Sequence, residues 1–245
     1  MMGYGYGYGY PSKRKPDSAP WTPASVPGFA WYDVSDDNNV TLDGSSNLSQ
    51  INDKFGSRHL AQSTSGARPG RSVWRNGLSA ANFDGTDDSL ITTAFAAASV
   101  GPTLIAWAGD YDTNGTLIDF DWLPGSDVSL LFFTSTYLPY LSGAGSGAYW
   151  LPGGSSVAAD AYADVLTSSV DADVKFFWNG AEKSRSHGTF TVANGTASRI
   201  ALGSYLGGTS HFGGNIGEII VWTGAAANAT TAALAREYLR AKWGF

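Results

Sequence analysis

From Phe29 onward the apolar residues come in short runs that alternate with polar ones, and each run is closed by Gly, Asn, Asp or Pro. A period of two is what strands produce, because successive side chains point to opposite faces, so the pattern predicts an all-β antiparallel sandwich. Thr103–Trp107 (TLIAW) and Thr116–Phe120 (TLIDF) read as two strands flanking a turn, and the run 128–133 follows them. Val174–Trp178 leads into Asn179-Gly180, a step that accepts positive φ twice and predicts a tight hairpin returning through Glu182 to Ser186. Arg199–Leu202 and Ile216–Trp222 are expected as late strands, the second with Ile219 and Val221 on one face and Ile220 and Trp222 on the other. Gly217 suits a strand whose backbone is approached closely. Only the C-terminus looks helical: Asn228 or Thr230 can cap it, Leu234, Tyr238, Leu239 and Trp243 share one side, and Gly244 stops it.

The first 28 residues have a different pattern. Gly and Tyr alternate from Gly3 to Tyr10, Ser-Lys-Arg-Lys follows, and Pro16, Pro20, Pro23 and Pro27 come after. Such a segment cannot build a core, and two readings stand. It is a tail, or it is an anchoring arm that orders on a partner, with Tyr4, Tyr6, Tyr8 and Tyr10 along one side of an extended chain and Lys13, Arg14 and Lys15 adding positive charge. The expected organisation is an arm over 1–28 and one domain over 29–245.

Composition narrows the function. Fifteen Lys and Arg against 21 Asp and Glu give a net charge of −6, which argues against a partner held by broad phosphate neutralisation, so no nucleic acid is expected. There is no cysteine, hence no disulfide frame, thiolate metal site or Cys nucleophile. Gly101-Pro102, Pro139 and Pro152 interrupt the uncharged stretches, so no membrane span is expected. No apolar run follows a basic segment near the N-terminus, so no secretory signal is read and synthesis in the cytoplasm is expected.

Three stretches carry a resemblance. The first is Phe29-Ala-Trp-Tyr-Asp33 with Leu48-Ser-Gln-Ile-Asn-Asp53, His59-Leu60, Gln62 and Arg68-Pro69; the second is Asn76-Gly77 with Asn82-Phe-Asp-Gly-Thr-Asp-Asp-Ser-Leu90; the third is Phe212-Gly-Gly-Asn-Ile-Gly-Glu-Ile-Ile-Val-Trp222 with Tyr238-Leu-Arg-Ala-Lys-Trp-Gly244. Together they resemble the concanavalin A-like lectin/glucanase (laminin-G-like) jelly-roll domains that recur in tailed-bacteriophage structural proteins. The resemblance implies a jelly roll over about 29–245 and a virion structural protein made in the host cytoplasm, such as a head-decoration, head-fibre or tail-associated subunit. It further implies a homo-oligomer joined to capsid, portal or tail proteins through the arm. The residues themselves read as scaffold: Phe83 as an apolar anchor, then turn formers whose carboxylates bond their own backbone, then Leu90 and Ile91 resuming a strand.

Part of that family hydrolyses glucans, which needs two carboxylates about 5–9.5 Å apart. Glu182, Glu218 and Glu237 lie on different elements, and the best substitute pair, Asp119 with Asp121, reads as two solvated groups at a hairpin exit. His59, His187 and His211 sit near no nucleophile motif. The expectation is a non-enzymatic chain without catalytic residues, with a carbohydrate-binding lectin module as the alternative primary role and a glucan hydrolase ranked behind it. Asp110-Tyr-Asp112-Thr-Asn114-Gly115 with Asp121 at the twelfth position matches a Ca²⁺ loop except for the final Glu, so Ca²⁺ is the one cofactor expected, and a plain hairpin turn is the competing reading. Asp84, Asp87 and Asp88 form a second acidic group that also reads as an Asx turn. Sugar binding needs accessible aromatic faces beside polar groups, and Trp122 and Trp150, each before a Leu-Pro-Gly loop start, with Tyr140 next to Pro139, are the candidate platforms for weak, multivalent glycan recognition without cleavage, with core filling as the competing reading.

Overall fold

Alternation of side chains and glycine-rich turns yield a two-layer molecule in the computed structural model. It describes residues 20–96, 98–110, 112, 115–122, 128–133, 138–143, 146–150, 161–168, 170–189, 195–205 and 208–245, with backbone alone for 98–100, 121–122, 128–133, 138–143, 146–150, 186–187 and 195–196. The strands are β1 Ala30–Asp33, β2 Val40–Leu42, β3 Leu48–Ile51, β4 Leu60–Ala61, β5 Gly70–Arg75, β6 Leu78–Asp84, β7 Leu90–Thr92, β8 Ala98–Val100, β9 Thr103–Gly109 and β10 Gly115–Trp122. They continue as β11 Val128–Phe133, β12 Leu138–Gly143, β13 Ser146–Trp150, β14 Ala161–Leu166, β15 Lys175–Trp178, β16 Ala181–Glu182, β17 Arg185–Thr189, β18 Gly195–Leu202 and β19 Gly213–Thr223, before one helix, α1, at Ala229–Trp243. The first sheet runs β16-β15-β14-β9-β19-β6-β5 with β1 also on β19; the second runs β17-β13-β12-β11-β10-β18-β7-β4-β3-β2 with β8 on β18. All pairings are antiparallel, as expected.

Two cores explain the two faces of the first sheet. Ile105, Trp107, Ile219 and Val221 point into the space between the sheets and meet Ile118, Phe120 and Leu202 of the second. Leu104, Ala106, Ile220 and Trp222 point the other way and are covered by Ala232, Ala235, Leu239 and Trp243 of α1. A strand buried on both faces needs apolar residues at every position, which is why β9 reads as an unbroken run. The helix is built as its sequence predicts: Asn228 accepts from Thr231 N, and Gly244 ends it in the left-handed region at φ 70°. Gly217 is required by that packing, since a Cβ there would lie 2.4 Å from the Trp243 ring.

Asn179 and Gly180 have φ of 48° and 78°, and Trp178 pairs with Ala181 across the predicted hairpin. Its return strand ends at Glu182, and the chain passes to the second sheet as β17. The turn expected between TLIAW and TLIDF is not a hairpin. β9 lies between β14 and β19 in the first sheet, and β10 lies between β11 and β18 in the second. β9 and β10 therefore lie in opposite layers. The crossing is pinned at both ends, because Gly109 passes under the Asn215 carbonyl and Gly115 under that of His211, so close that a Cβ would lie 2.5 Å and 2.2 Å from these oxygens.

The motif residues act as scaffold. Asp53 N donates to His59 Nδ1, Gln62 reaches Ser89, Arg68 pairs with Asp43 at 3.0 Å, and Leu48 N donates to the Pro69 carbonyl. Residues 20–28, assigned to the arm by composition, lie against the domain: Trp21 packs on Trp222 and Tyr238, and the Val26 carbonyl accepts from the Trp222 indole. The earlier residues, including Tyr4, Tyr6, Tyr8, Tyr10, Lys13, Arg14 and Lys15, are outside the described ones. Among the described residues, no helix is long and apolar enough to cross a membrane.

Candidate functional site

One end of the sandwich gathers both acidic groups seen in the sequence. Gly213, the first residue of β19, stands opposite Asp84 at the end of β6, and its carbonyl accepts from Asp112 N at 2.7 Å. The Asp84–Asp88 turn and the Asp110–Gly115 crossing therefore flank the same residue. Asp84 accepts from the amides of Thr86 and Asp87, and Asp88 accepts from Asp84 N, so the Asx turn is present. Oxygens of Asp84, Asp87 and Asp88 lie within 4.8 Å of one another. Burial, reinforced by the charges of Asp84 and Asp87, pushes the Asp88 carboxyl up to about 6. His211 Nδ1 lies 3.4 Å from the Asp88 carbonyl.

The calcium-loop residues divide. Asp110 is half-buried, and its carboxylate accepts from Asn215 N, Asn215 Nδ2 and Trp74 Nε1, the last at 2.8 Å. Burial raises its pKa, and those donors work against the rise. Asp112 is exposed. Asn114 is outside the described residues, as is the Asp121 side chain, while the Asp121 backbone pairs with Arg199. Asp110 is thus committed to joining β9, β5 and β19.

The three aromatic candidates belong to strands of the second sheet. Trp122 ends β10 opposite Ala197, Tyr140 in β12 stands opposite Leu131 and Tyr149, and Trp150 ends β13 opposite Arg185. Their side chains are outside the described residues. Asp119, read from sequence as solvated, is instead fully buried in the middle of β10, opposite Ser129 and Ala201. The solvated reading rests on a hairpin exit, whereas β10 lies inside the second sheet between β11 and β18.

Sequence reading missed a carboxylate network under α1. Glu218 on β19 is fully buried. Its Oε1 accepts from the Trp31 indole at 2.7 Å and from the Tyr238 hydroxyl at 3.0 Å; its Oε2 accepts from Lys242 at 2.8 Å and from the Trp243 indole at 3.1 Å. Lys242 also holds Asp33, which pairs in register with Glu218, and Lys54 reaches Asp33 from the other side. Burial, with the Asp33 charge, raises the Glu218 pKa against the pull of Lys242. Burial alone would raise Asp33 too, but Lys242, Ser35 and Lys54 hold it below the usual carboxylate range. Nearby, Asp164 on β14 is fully buried and takes both its contacts from Arg236 at 2.9 Å. All four donor groups of Glu218 come from tens of residues away, so no local motif marks them, although Trp31, Glu218, Tyr238 and Trp243 all fall inside the resembling stretches.

No protein-family model matches the chain. No curated protein matches it either. Solved structures do share its fold. Domain 4 of the extracellular GH43 arabinanase AbnA from Geobacillus stearothermophilus, in complex with arabinotriose, is 17% identical with a TM-score of 0.53, over 86% of this chain and 98% of that one. An arabinofuranosidase complexed with arabinofuranosyl-alpha-1,2-xylobiose gives 15% and 0.58, over 80% of this chain and 51% of that one. Trypanosoma rangeli sialidase in complex with sialic acid gives 10% and 0.54, over 87% of this chain and 33% of that one. The chain thus spans about half of the arabinofuranosidase chain and a third of the sialidase chain. What these likenesses share is the β-sandwich. They correct the expectation of a non-enzymatic chain, since the neighbours come from enzymes and the absence of a familiar Glu pair does not exclude activity on this fold.

Proposed function

We propose that the chain is a carbohydrate-binding sandwich module. The observation that supports this most directly is the end-to-end match with the arabinanase domain, where nearly the whole of a separate domain, holding arabinotriose, is matched by most of this chain. A domain of this size presents loop and strand-end aromatics on a rigid scaffold, and Trp122, Tyr140 and Trp150 are the platforms proposed for stacking on sugar rings. The finer form of the reading is the setting implied by the motif resemblance, display on the virion of a tailed phage with residues 1–19 joined to other virion proteins. Ca²⁺ at the Asp110–Asp121 loop is a separate proposal, now narrowed by the commitment of Asp110 to Asn215 and Trp74.

The test is an array of neutral and acidic oligosaccharides probed with the full chain, followed by calorimetry on the best ligands, with released sugar assayed in the same samples. Binding of at least one glycan class is expected, with Trp122→Ala, Tyr140→Ala or Trp150→Ala weakening it at unchanged melting temperature. Binding to none overturns the reading.

A further inference from the structure

The outer face of the first sheet is covered by α1 over β9 and β19, and it is open over β5 and β6, where Ser72 and Asn82 are exposed. Ala81 and Phe83 point into the space between the sheets, so Asn82 between them points to the outer face, the face on which Trp74 packs against the helix-side core. Trp74 lies flat there. Strands follow one another as β9-β19-β6-β5, about 4.8 Å apart, and the indole N–H of this β5 residue donates at 2.8 Å to Asp110, which follows β9 and also accepts from Asn215 of β19. An upright side chain on β5 would not cross β6, so the ring runs along the sheet, above Ala80 of β6, which is fully buried. Trp243 and Phe245 flank the ring from the helix end, with centroids at 5.3 Å and 6.3 Å, and Trp74 remains half-buried.

The same carboxylate sets the sense of two amides. An ionised carboxylate only accepts, so Asn215 turns its Nδ2 to Asp110, at 3.0 Å, and its Oδ1 away. That oxygen accepts from Asn82 Nδ2 at 3.2 Å. The Asn82 Oδ1 is thereby left without a partner among the described residues, on an exposed side chain. One chain of hydrogen bonds thus fixes a ring plane at one end and an amide acceptor at the other, before any ligand arrives.

We propose that Trp74 and Asn82 form a binding site for a neutral oligosaccharide, one sugar ring resting its C–H face on the indole and hydroxyls of the chain meeting the Asn82 amide. Asp110 and Asn215 act as positioning residues beneath it. The charges around the site favour a neutral ligand: Asp84 is exposed two residues beyond Asn82 on the same strand face, while Arg75 donates to the Trp243 carbonyl at 3.1 Å and Lys242 is held by Asp33 and Glu218. The site rests on the carbohydrate-binding reading and adds its ligand class and location. It is distinct from the aromatic platforms of the second sheet.

NMR titration of the full chain with arabinotriose and with trigalacturonate tests it, read at the Trp74 indole N–H resonance, which Trp74→Phe identifies by its loss. Reading at Trp74 keeps binding on the second sheet out of the signal. Arabinotriose should shift the resonance to saturation, and at low salt trigalacturonate should need a higher concentration, a gap that narrows as salt screens the acidic groups. Asn82→Ala should raise the arabinotriose midpoint about tenfold, or about 1.4 kcal/mol, at an unchanged melting temperature, because Asn82 is exposed and the ladder uses only its backbone. A silent Trp74 resonance, an unchanged midpoint in Asn82→Ala, or trigalacturonate titrating at the same or a lower concentration overturns the site. If calorimetry detects a bound saccharide while the Trp74 resonance stays silent, the site falls and the carbohydrate-binding reading stands; if no saccharide binds, both fall.

Discussion

Two groups of carboxylates are held in opposite ways. Under α1, Glu218, Asp33 and Asp164 are met by Lys242, Lys54, Arg236 and two indoles from distant parts of the chain, with Ser35 adding a local contact to Asp33. At the turn end, Asp84 and Asp88 are met by backbone amides within four residues of themselves. The first arrangement fixes a helix to a sheet through groups that have left water; the second shapes a turn and leaves Asp84 and Asp87 exposed. A buried carboxylate with every oxygen filled by side chains is tertiary glue, whereas one bonded to its own amides is a local fold device.

The sharpest way to break the comparison is at Glu218. Glu218→Ala leaves Lys242 short of a partner and two indole N–H groups buried without an acceptor, a change expected to cost about 3–5 kcal/mol by denaturant unfolding. A loss below about 1 kcal/mol would mean that apolar packing alone seats the helix.

The same contrast decides what could be read from the sequence. Devices that close within a few residues were legible: the Asn228 cap, the Gly244 stop, the Asn179-Gly180 turn and the Asp84 Asx turn each follow from neighbours in the chain. Gly217 was legible as a close approach, although its partner, Trp243, was not. Choices settled by packing were not legible. TLIAW and TLIDF carry the same strand signal whether they pair or lie in opposite layers, and only the contacts of Gly109 and Gly115 with β19 and its approach decide between the two. Asp110 matched a metal loop by spacing, yet its partners Trp74 and Asn215 lie 36 and 105 residues away. The Glu218 network is of this second kind throughout.

Asp164 sharpens the helix side through pH. Burial outweighs the Arg236 charge and pushes its carboxyl up to about 7 from the usual 3.8. The folded chain therefore holds the proton that the unfolded chain releases, so the stability this group contributes is present in full below about pH 4 and is lost as pH rises toward about 7, at up to roughly 1.4 kcal/mol per unit. Asp164→Asn removes the titration. The stability of the wild type minus that of the variant should fall between these limits and stay level above them. A difference that is level over this window and rises with pH only below about pH 4 would show that the ion pair, and not burial, sets the carboxyl.

The smallest effect is expected at the other group. Asp87 is exposed, its carboxylate accepts no hydrogen bond among the described residues, and its charge is one of those that raise Asp88. Asp87→Asn keeps the backbone amide that donates to Asp84 and removes one of three crowded negative charges. Stability at neutral pH and low salt should therefore change by no more than about 0.5 kcal/mol, in the stabilising direction, and the gain should shrink as salt screens the repulsion. The carboxyl of Asp88, followed by NMR titration, should move down toward the ordinary range in the variant. A destabilisation above about 1 kcal/mol would place Asp87 among the tertiary carboxylates and erase the distinction between the two groups.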